Sequence, residues 1–188
     1  MTIQTATTRR LPELKERHLP AGCRADIQTL LREIYGYEDF RSLEIYDNLF
    51  EGKDKVLISQ GQLIEQVVLE AEKAFKDNGQ ADNMLLTAPT GSGKSLLFQL
   101  PAIYLGREYG LLTLVVSPLK ALIVDQVESL QDLGYTRVAY ASSDLSPEQK
   151  TEVYRRVREG EVDLFYLSPE LLLSYDIRRP PHRAGCGR

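Results

Sequence analysis

Residues 84–100 read MLLTAPTGSGKSLLFQL, and the way this stretch folds decides how the rest is read. An apolar run, MLLTA (84–88), meets a Gly-rich turn and then a second apolar run that opens at Ser95. Strand, tight turn and helix in that order aim successive backbone N–H groups and the positive end of a helix at one point, a donor site for anionic phosphates. Gly91 and Gly93 permit backbone angles and a close approach that a Cβ would block. Lys94 can reach the β- and γ-phosphates as a compact cation, and the Ser95 hydroxyl can ligate Mg2+. Ala88, Pro89, Thr90 and Ser92 make up the rest of the loop, with Ala88 where the common pattern has Gly. Part by part, a plain turn and an exposed lysine at a helix start would serve as well. Placed between a strand and a helix, the loop implies a nucleoside triphosphate site.

Outward from this loop the pattern repeats. Three further apolar runs follow, LLTLVVS (111–117), RVAYA (137–141) and DLFYLS (163–168). Helical stretches separate the four runs, at Ser95 to Leu105, Leu119 to Leu133 and Pro147 to Glu159. Asp144 or Ser146 can cap the last of these, with Pro147 at its first position. The second and fourth runs are almost continuously apolar, as strands covered on both faces are. Strand and helix in alternation predict an α/β fold: a parallel β-sheet with flanking helices, joined by right-handed crossovers. Upstream, ADIQTLLREIY (25–35) and QLIEQVVLEAEKAFK (62–76) are amphipathic helices, the first closed by Gly36. The organisation predicted is a flexible extension over 1–24, a helical segment over 25–80, the sheet-bearing domain over 81–175 and a basic tail over 176–188. The periodic pattern breaks off at that tail, DIRRPPHRAGCGR. A disordered end, a nucleic-acid contact and a truncated or frame-changed continuation all fit it.

Composition sets the bounds. The 188 residues carry 23 Lys+Arg against 27 Asp+Glu, a net charge of −4, which excludes a small binder that holds nucleic acid by bulk charge alone. With 43% hydrophobic and 27% charged residues, the chain can bury a core. Cys23 and Cys186 lie at opposite ends and frame neither a disulfide scaffold nor a CxxC metal site. No apolar run approaches the ~20 residues of a bilayer span, so a soluble, cytoplasmic domain with no membrane partner is expected. Oligomeric state has no signature.

The motifs carry a family resemblance. APTGSGKS followed by LLFQLPAIYL resembles motif I of superfamily 2 DEAD/DEAH-box helicases, in which Ala at the first position is usual. SPLKALIVDQV (117–127) is similar to motif Ia of the RecQ-like branch, and YLSPELL (166–172) resembles its SPE-type motif. IYGYEDFR (34–41) resembles the aromatic segment ahead of the nucleotide site, and SQGQ (59–62) looks like the adenine-reading glutamine motif. The resemblance implies a RecA-like P-loop NTPase domain, incomplete in this chain, that takes ATP with Mg2+. The parent activity implied is ATP-driven translocation and unwinding of DNA.

It also assigns candidate residues. Lys94 is the catalytic candidate and Ser95 the Mg2+ ligand, with Gln62 to read adenine and Tyr37 and Phe40 to stack on the base. A Gln amide offers both donor and acceptor to the N6/N7 edge, although Gln62 could equally be a solvated helix-start residue, and Tyr37 and Phe40 could pack as core. Loops that follow the strands would meet a single-stranded or duplex DNA backbone, with RNA not distinguished from DNA: Ser117, Pro118, Lys120, Ser142, Ser143 and Ser168. Hydroxyls and helix-start N–H groups make sequence-neutral contacts to phosphates. The alternative is that Pro118 and Pro169 simply begin helices that the serines cap.

Hydrolysis requires more. Phosphoryl transfer needs an acid at a strand end to hold Mg2+ and a cation on the developing charge. The family supplies these through a DE-containing motif and the arginines of a second domain. No apolar run in the chain ends in Asp-Glu. Slow or absent turnover is expected of the chain alone. Two other readings stay open. A complete small P-loop ATPase or kinase would use Glu170 or Asp163 for the metal, and a nonfunctional remnant would expose a sheet edge and aggregate.

Overall fold

The computed structural model describes residues 22–46, 55–76, 83–86 and 91–174. Helix α1 (Ala25–Tyr35) buries Ile27, Leu30, Leu31 and Ile34 on one face and stops at Gly36, whose left-handed backbone, φ 66°, lets its N–H reach Arg32 O. The chain then forms a hairpin that sequence patterning leaves unread inside the expected helical segment. Strands β1 (Ser42–Tyr46) and β2 (Lys55–Ser59) pair antiparallel, Ser42 opposite Ser59. Gln60 N–H donates to Arg41 O at 2.8 Å and closes the hairpin's base. Helix α2 (Gln60–Lys76) starts directly from β2, two residues before the predicted point.

Helix α3 (Lys94–Tyr109) is buried around its middle, from Leu96 through Gly106. It packs against α1 and α2 on one side and the main sheet on the other, so an apolar stripe would not suffice and every residue from Leu96 to Leu105 except Gln99 is apolar. Arg24, inside the expected flexible extension, fastens this helical layer. Its guanidinium lies 2.9 Å from both Glu65 and Glu72 of α2 and 5.1 Å over the Tyr104 ring of α3.

The main sheet holds β3 (Thr113–Val116), β4 (Val138–Ala141) and β5 (Leu164–Leu167), all parallel, in the order β3-β5-β4. Helix α4 (Lys120–Asp132) crosses from β3 to β4 and α5 (Pro147–Arg158) from β4 to β5, while α6 (Pro169–Ser174) follows β5. The N-cap of α5 is Ser146, in a reciprocal capping box with Gln149. Asp144 is thereby left to other partners.

Two expectations are corrected. No strand forms over 83–86, and 87–88 lie outside the described residues. An extended apolar run becomes a strand only where a neighbour supplies ladder hydrogen bonds, and 83–86 pairs with none of the described strands. The strand β3 is not covered on both faces as predicted. It lies at one edge of the sheet, and Leu114 and Val116 on one of its faces are 44% and 43% exposed. The central strand β5 is buried at every position, as expected. Most of the extension (1–21), the tail and Ala88, Pro89 and Thr90 lie outside the described residues. Among the described residues no helix is long and apolar enough to cross a membrane.

At the amino edge of the sheet Asp163 is fully buried. Its carboxylate accepts from Tyr135 Oη at 2.6 Å, Arg137 Nε at 2.7 Å and a second Arg137 nitrogen at 2.9 Å. Burial, then the neighbouring carboxylate, pushes the Tyr135 phenol well above its usual range. A Cβ added to Gly106 of α3 would stand 2.4 Å from Asp163 Cγ, so this close crossing of α3 over β5 requires glycine.

Candidate functional site

The described part of the phosphate loop is Gly91 to Ser95. Gly91 and Gly93 both take left-handed backbone angles, φ 80° and 75°, which an L-residue with a Cβ rarely adopts. Gly93 also stands at the N-cap of α3, and its carbonyl accepts from Leu96 N–H at 3.1 Å. The N-terminus of α3 is thus directed at the loop, with Lys94 exposed and Ser95 half-buried. Ser92 Oγ is buried and, among the described residues, has no hydrogen-bond partner. A buried hydroxyl without a partner costs free energy, and a phosphate oxygen at this loop would satisfy it.

Gln60 supports the loop from behind. Its side chain is 2% exposed. Its amide Nε2 donates to Ser92 O at 2.9 Å, and its Oε1 accepts from Arg41 N–H at 3.2 Å. A Cβ at Gly93 would meet Gln60 Nε2 at 2.7 Å. The family resemblance of SQGQ points to its other glutamine, Gln62. Gln62 Oε1 instead accepts from Ser59 N–H at 3.0 Å, across the first turn of α2. Two positions along a helix rotate a side chain by roughly 200°, so only one of the pair can face the loop. The signal that would have found Gln60 is the strand KVLIS running straight into the helix, which starts α2 at residue 60.

A cavity of about 420 Å3 opens beside the loop between Gly93, Ser95 and Gln60 on one wall and Tyr35 and Tyr37 on the other. Tyr37 is half exposed and stacks on Tyr35, ring centres 6.2 Å apart and 22° from parallel. Phe40 is not on this cavity and packs into the core beside α2; a Cβ on Gly61 would lie 2.6 Å from its ring. Glu38 and Asp39 reach the rim, tied to α1 through Arg32 and Gln28.

A second cavity of about 490 Å3, mostly apolar, joins the loop to the carboxyl edge of the sheet. Lys94 and Ser95 line it together with Ser117, Val116 and Leu122. Between the two cavities lies a buried polar relay. Tyr35 Oη donates to Gln99 Oε1 at 3.0 Å, and Gln99 Nε2 lies 3.1 Å from Gln126 Oε1 and 3.0 Å from Tyr166 Oη.

The strand-end residues converge at that same edge. Ser117 Oγ accepts from Leu119 N–H at 3.3 Å, ahead of α4, and Pro118 is exposed beside it. The Lys120 ammonium contacts Ser143 Oγ and lies 2.9 Å from Asp144 Oδ1. Ser142 and Ser168 are buried, and their carbonyls accept from Leu145 and Leu172 at the turns that follow. The Ser168 hydroxyl bonds Glu170, holding its carboxyl below the usual range. Each described strand of this sheet is followed by a serine, and none ends in Asp-Glu.

The two acids considered for metal binding are placed elsewhere. Asp163 touches Gly106, twelve residues along α3 from Lys94, which at 1.5 Å per residue is about 18 Å from the loop. Glu170 is exposed in the first turn of α6 and lines neither cavity. No group of three His, Cys, Asp or Glu among the described residues could hold a metal ion.

Known proteins are similar to this chain in sequence. The chain is 36% identical over 151 residues to ATP-dependent DNA helicase RecQ of Synechocystis sp., covering 80% of this chain and 25% of that protein. To the protein of the same name from Bacillus subtilis it is 33% identical over 152 residues, 81% of this chain and 20% of that one. To ATP-dependent DNA helicase Q4 of Mus musculus it is 41% identical over 96 residues, 51% of this chain and 8% of that one. The chain therefore spans a quarter or less of the length of these relatives. Residues 56–183, more than half of the chain, match the DEAD/DEAH box helicases, and the chain belongs to that family.

Proposed function

We propose that this chain is the ATP-binding, RecA-like portion of a RecQ-like DNA helicase. The observation that carries this reading is the loop itself: two left-handed glycines, a helix N-terminus and a buried Ser92 hydroxyl with no partner among the described residues converge where Lys94 and Ser95 begin α3. Backbone N–H groups of Gly91 to Lys94 would cradle the phosphates, and Lys94 would offset charge on the β- and γ-oxygens. Tyr37 would stack on the base in the cavity beside the loop, with adenine reading assigned to Gln62 by resemblance and loop support to Gln60 by geometry. Ser95 would hold Mg2+, which when bound would neutralise the charge developing on the phosphate oxygens. The first half of the loop, Ala88, Pro89 and Thr90, would complete the cradle.

Ser117, Pro118, Lys120, Ser142, Ser143 and Ser168 would form the surface that meets the nucleic-acid backbone, in keeping with relatives named as DNA helicases. Ser117 lines the same cavity as Lys94, so the nucleotide and strand surfaces adjoin. Turnover by the chain alone is expected to be slow, since no described acid stands at a strand end beside Lys94.

The test is ATP binding and hydrolysis by the purified 188-residue chain with Mg2+, with and without single-stranded DNA. Mg2+-dependent binding with little turnover is expected. Sustained turnover without any partner would return a small self-contained ATPase to favour, and absence of binding would reject the site. The two glutamines separate by substitution. Gln60→Leu, which removes the amide behind the loop, is expected to weaken nucleotide binding about tenfold. Gln62→Leu should weaken ATP more than GTP if it reads adenine, and both equally if it only shapes the first turn of α2; titration of both nucleotides into each variant decides.

A further inference from the structure

We propose that Asp144 is an internal competitor for the phosphate backbone, occupying Lys120 in the unbound protein and releasing it when a strand binds. The inference rests on the strand-end loops being the nucleic-acid surface. Lys120 is the first residue of α4, after β3, and Asp144 lies in the turn after β4. Both carboxylate oxygens of Asp144 are within reach of the ammonium, at 2.9 and 3.2 Å, and Ser143 Oγ bridges to Asp144 Oδ1 at 3.1 Å. The arrangement offers the ammonium two acceptor oxygens in the way a phosphate group would.

The fold has little use for this pair. Lys120 is 48% exposed and Asp144 71% exposed, and an ion pair in such solvent contributes little to stability. The cap of α5, which Asp144 could have served, belongs to Ser146. Lys120 is nevertheless engaged from one side by Asp144, and its charge also reaches Glu170, whose carboxyl it helps to hold down. Such a lysine presents a discounted charge to an approaching strand, which must exchange carboxylate oxygens for phosphate oxygens at the same ammonium. The cost is electrostatic and independent of base sequence. Asp144 therefore limits affinity for every strand alike, as suits a protein that must let go in order to move.

The experiment is a two-by-two set on the full chain: wild type, Asp144→Asn, Lys120→Ala and the double variant. Binding of labelled oligodeoxythymidylate is followed by fluorescence anisotropy from about 50 to 200 mM salt. Asp144→Asn should tighten binding about fivefold at the low-salt end and steepen the slope of log K against log salt by about 0.7, the value for one more phosphate neutralised on a single strand. Lys120→Ala should weaken binding and give a slope about 0.7 shallower than that of Asp144→Asn, as one lysine on one phosphate requires. The double variant should match Lys120→Ala alone, because without the lysine Asp144 has nothing to withhold. An Asp144→Asn effect that persists in the Lys120→Ala background, or no effect at all, would overturn the proposal while leaving the strand surface intact. Unchanged binding in Lys120→Ala would overturn the surface itself, and the proposal with it.

Discussion

Lys94→Ala should lower affinity for ATP by at least about a hundredfold, measured by calorimetry or by a fluorescent nucleotide. A charge-assisted hydrogen bond to phosphate is worth on the order of 1.5–3 kcal/mol, and Lys94 would contribute at two phosphates. The melting temperature without nucleotide should stay where it is, since Lys94 is exposed and the core begins at Leu96. The shift in melting temperature that ATP causes in the wild type should vanish. An unchanged affinity would remove the phosphate-loop assignment and every role built on it.

The second large effect concerns stability. Asp163→Ala should destabilise the fold by about 3 kcal/mol or more, read from denaturant unfolding. It leaves Arg137 and the buried Tyr135 without the acceptor that both now use. Gly106→Ala should itself cost about 2 kcal/mol, because the new methyl would meet a carboxylate pinned in place rather than a side chain that can swing aside. The two changes together should cost less than their sum. The methyl at 106 would occupy part of the space that the carboxylate vacates, so the cycle should show a coupling energy above about 0.5 kcal/mol. If Asp163 instead held a catalytic metal, its alanine variant would melt near the wild-type temperature and lose only turnover.

Where local chemistry decides, the sequence could be read directly. Gly36 ends α1, and Pro147 with Ser146 starts α5, because caps act within one turn of chain. The parallel sheet was legible from alternating runs, but its order was not. Residues 111–117 and 163–168 are about equally apolar, yet β5 is central and β3 an edge strand with one open face, a distinction set by tertiary neighbours. The hairpin of β1 and β2 leaves little trace in the sequence, because two five-residue strands carry too few alternations to stand out. In the candidate site the glycines and Lys94 follow from pattern, whereas Gln60 does not: which glutamine faces the loop depends on a helix boundary two residues away. Local pattern offers Asp144 as a helix cap, a contact within its own turn, whereas its partner lies 24 residues earlier.

Gln99 links Tyr35, Gln126 and Tyr166, and thereby α1, α3, α4 and β5, through one amide that is 4% exposed. Parting any of these elements takes a partner from the buried Gln99 amide, so none opens alone without leaving a buried polar group short of a hydrogen bond. The helix that begins at the phosphate loop and the strand at the centre of the sheet are therefore one cooperative unit of opening, and their slowest amide protons should exchange with water at a common free energy.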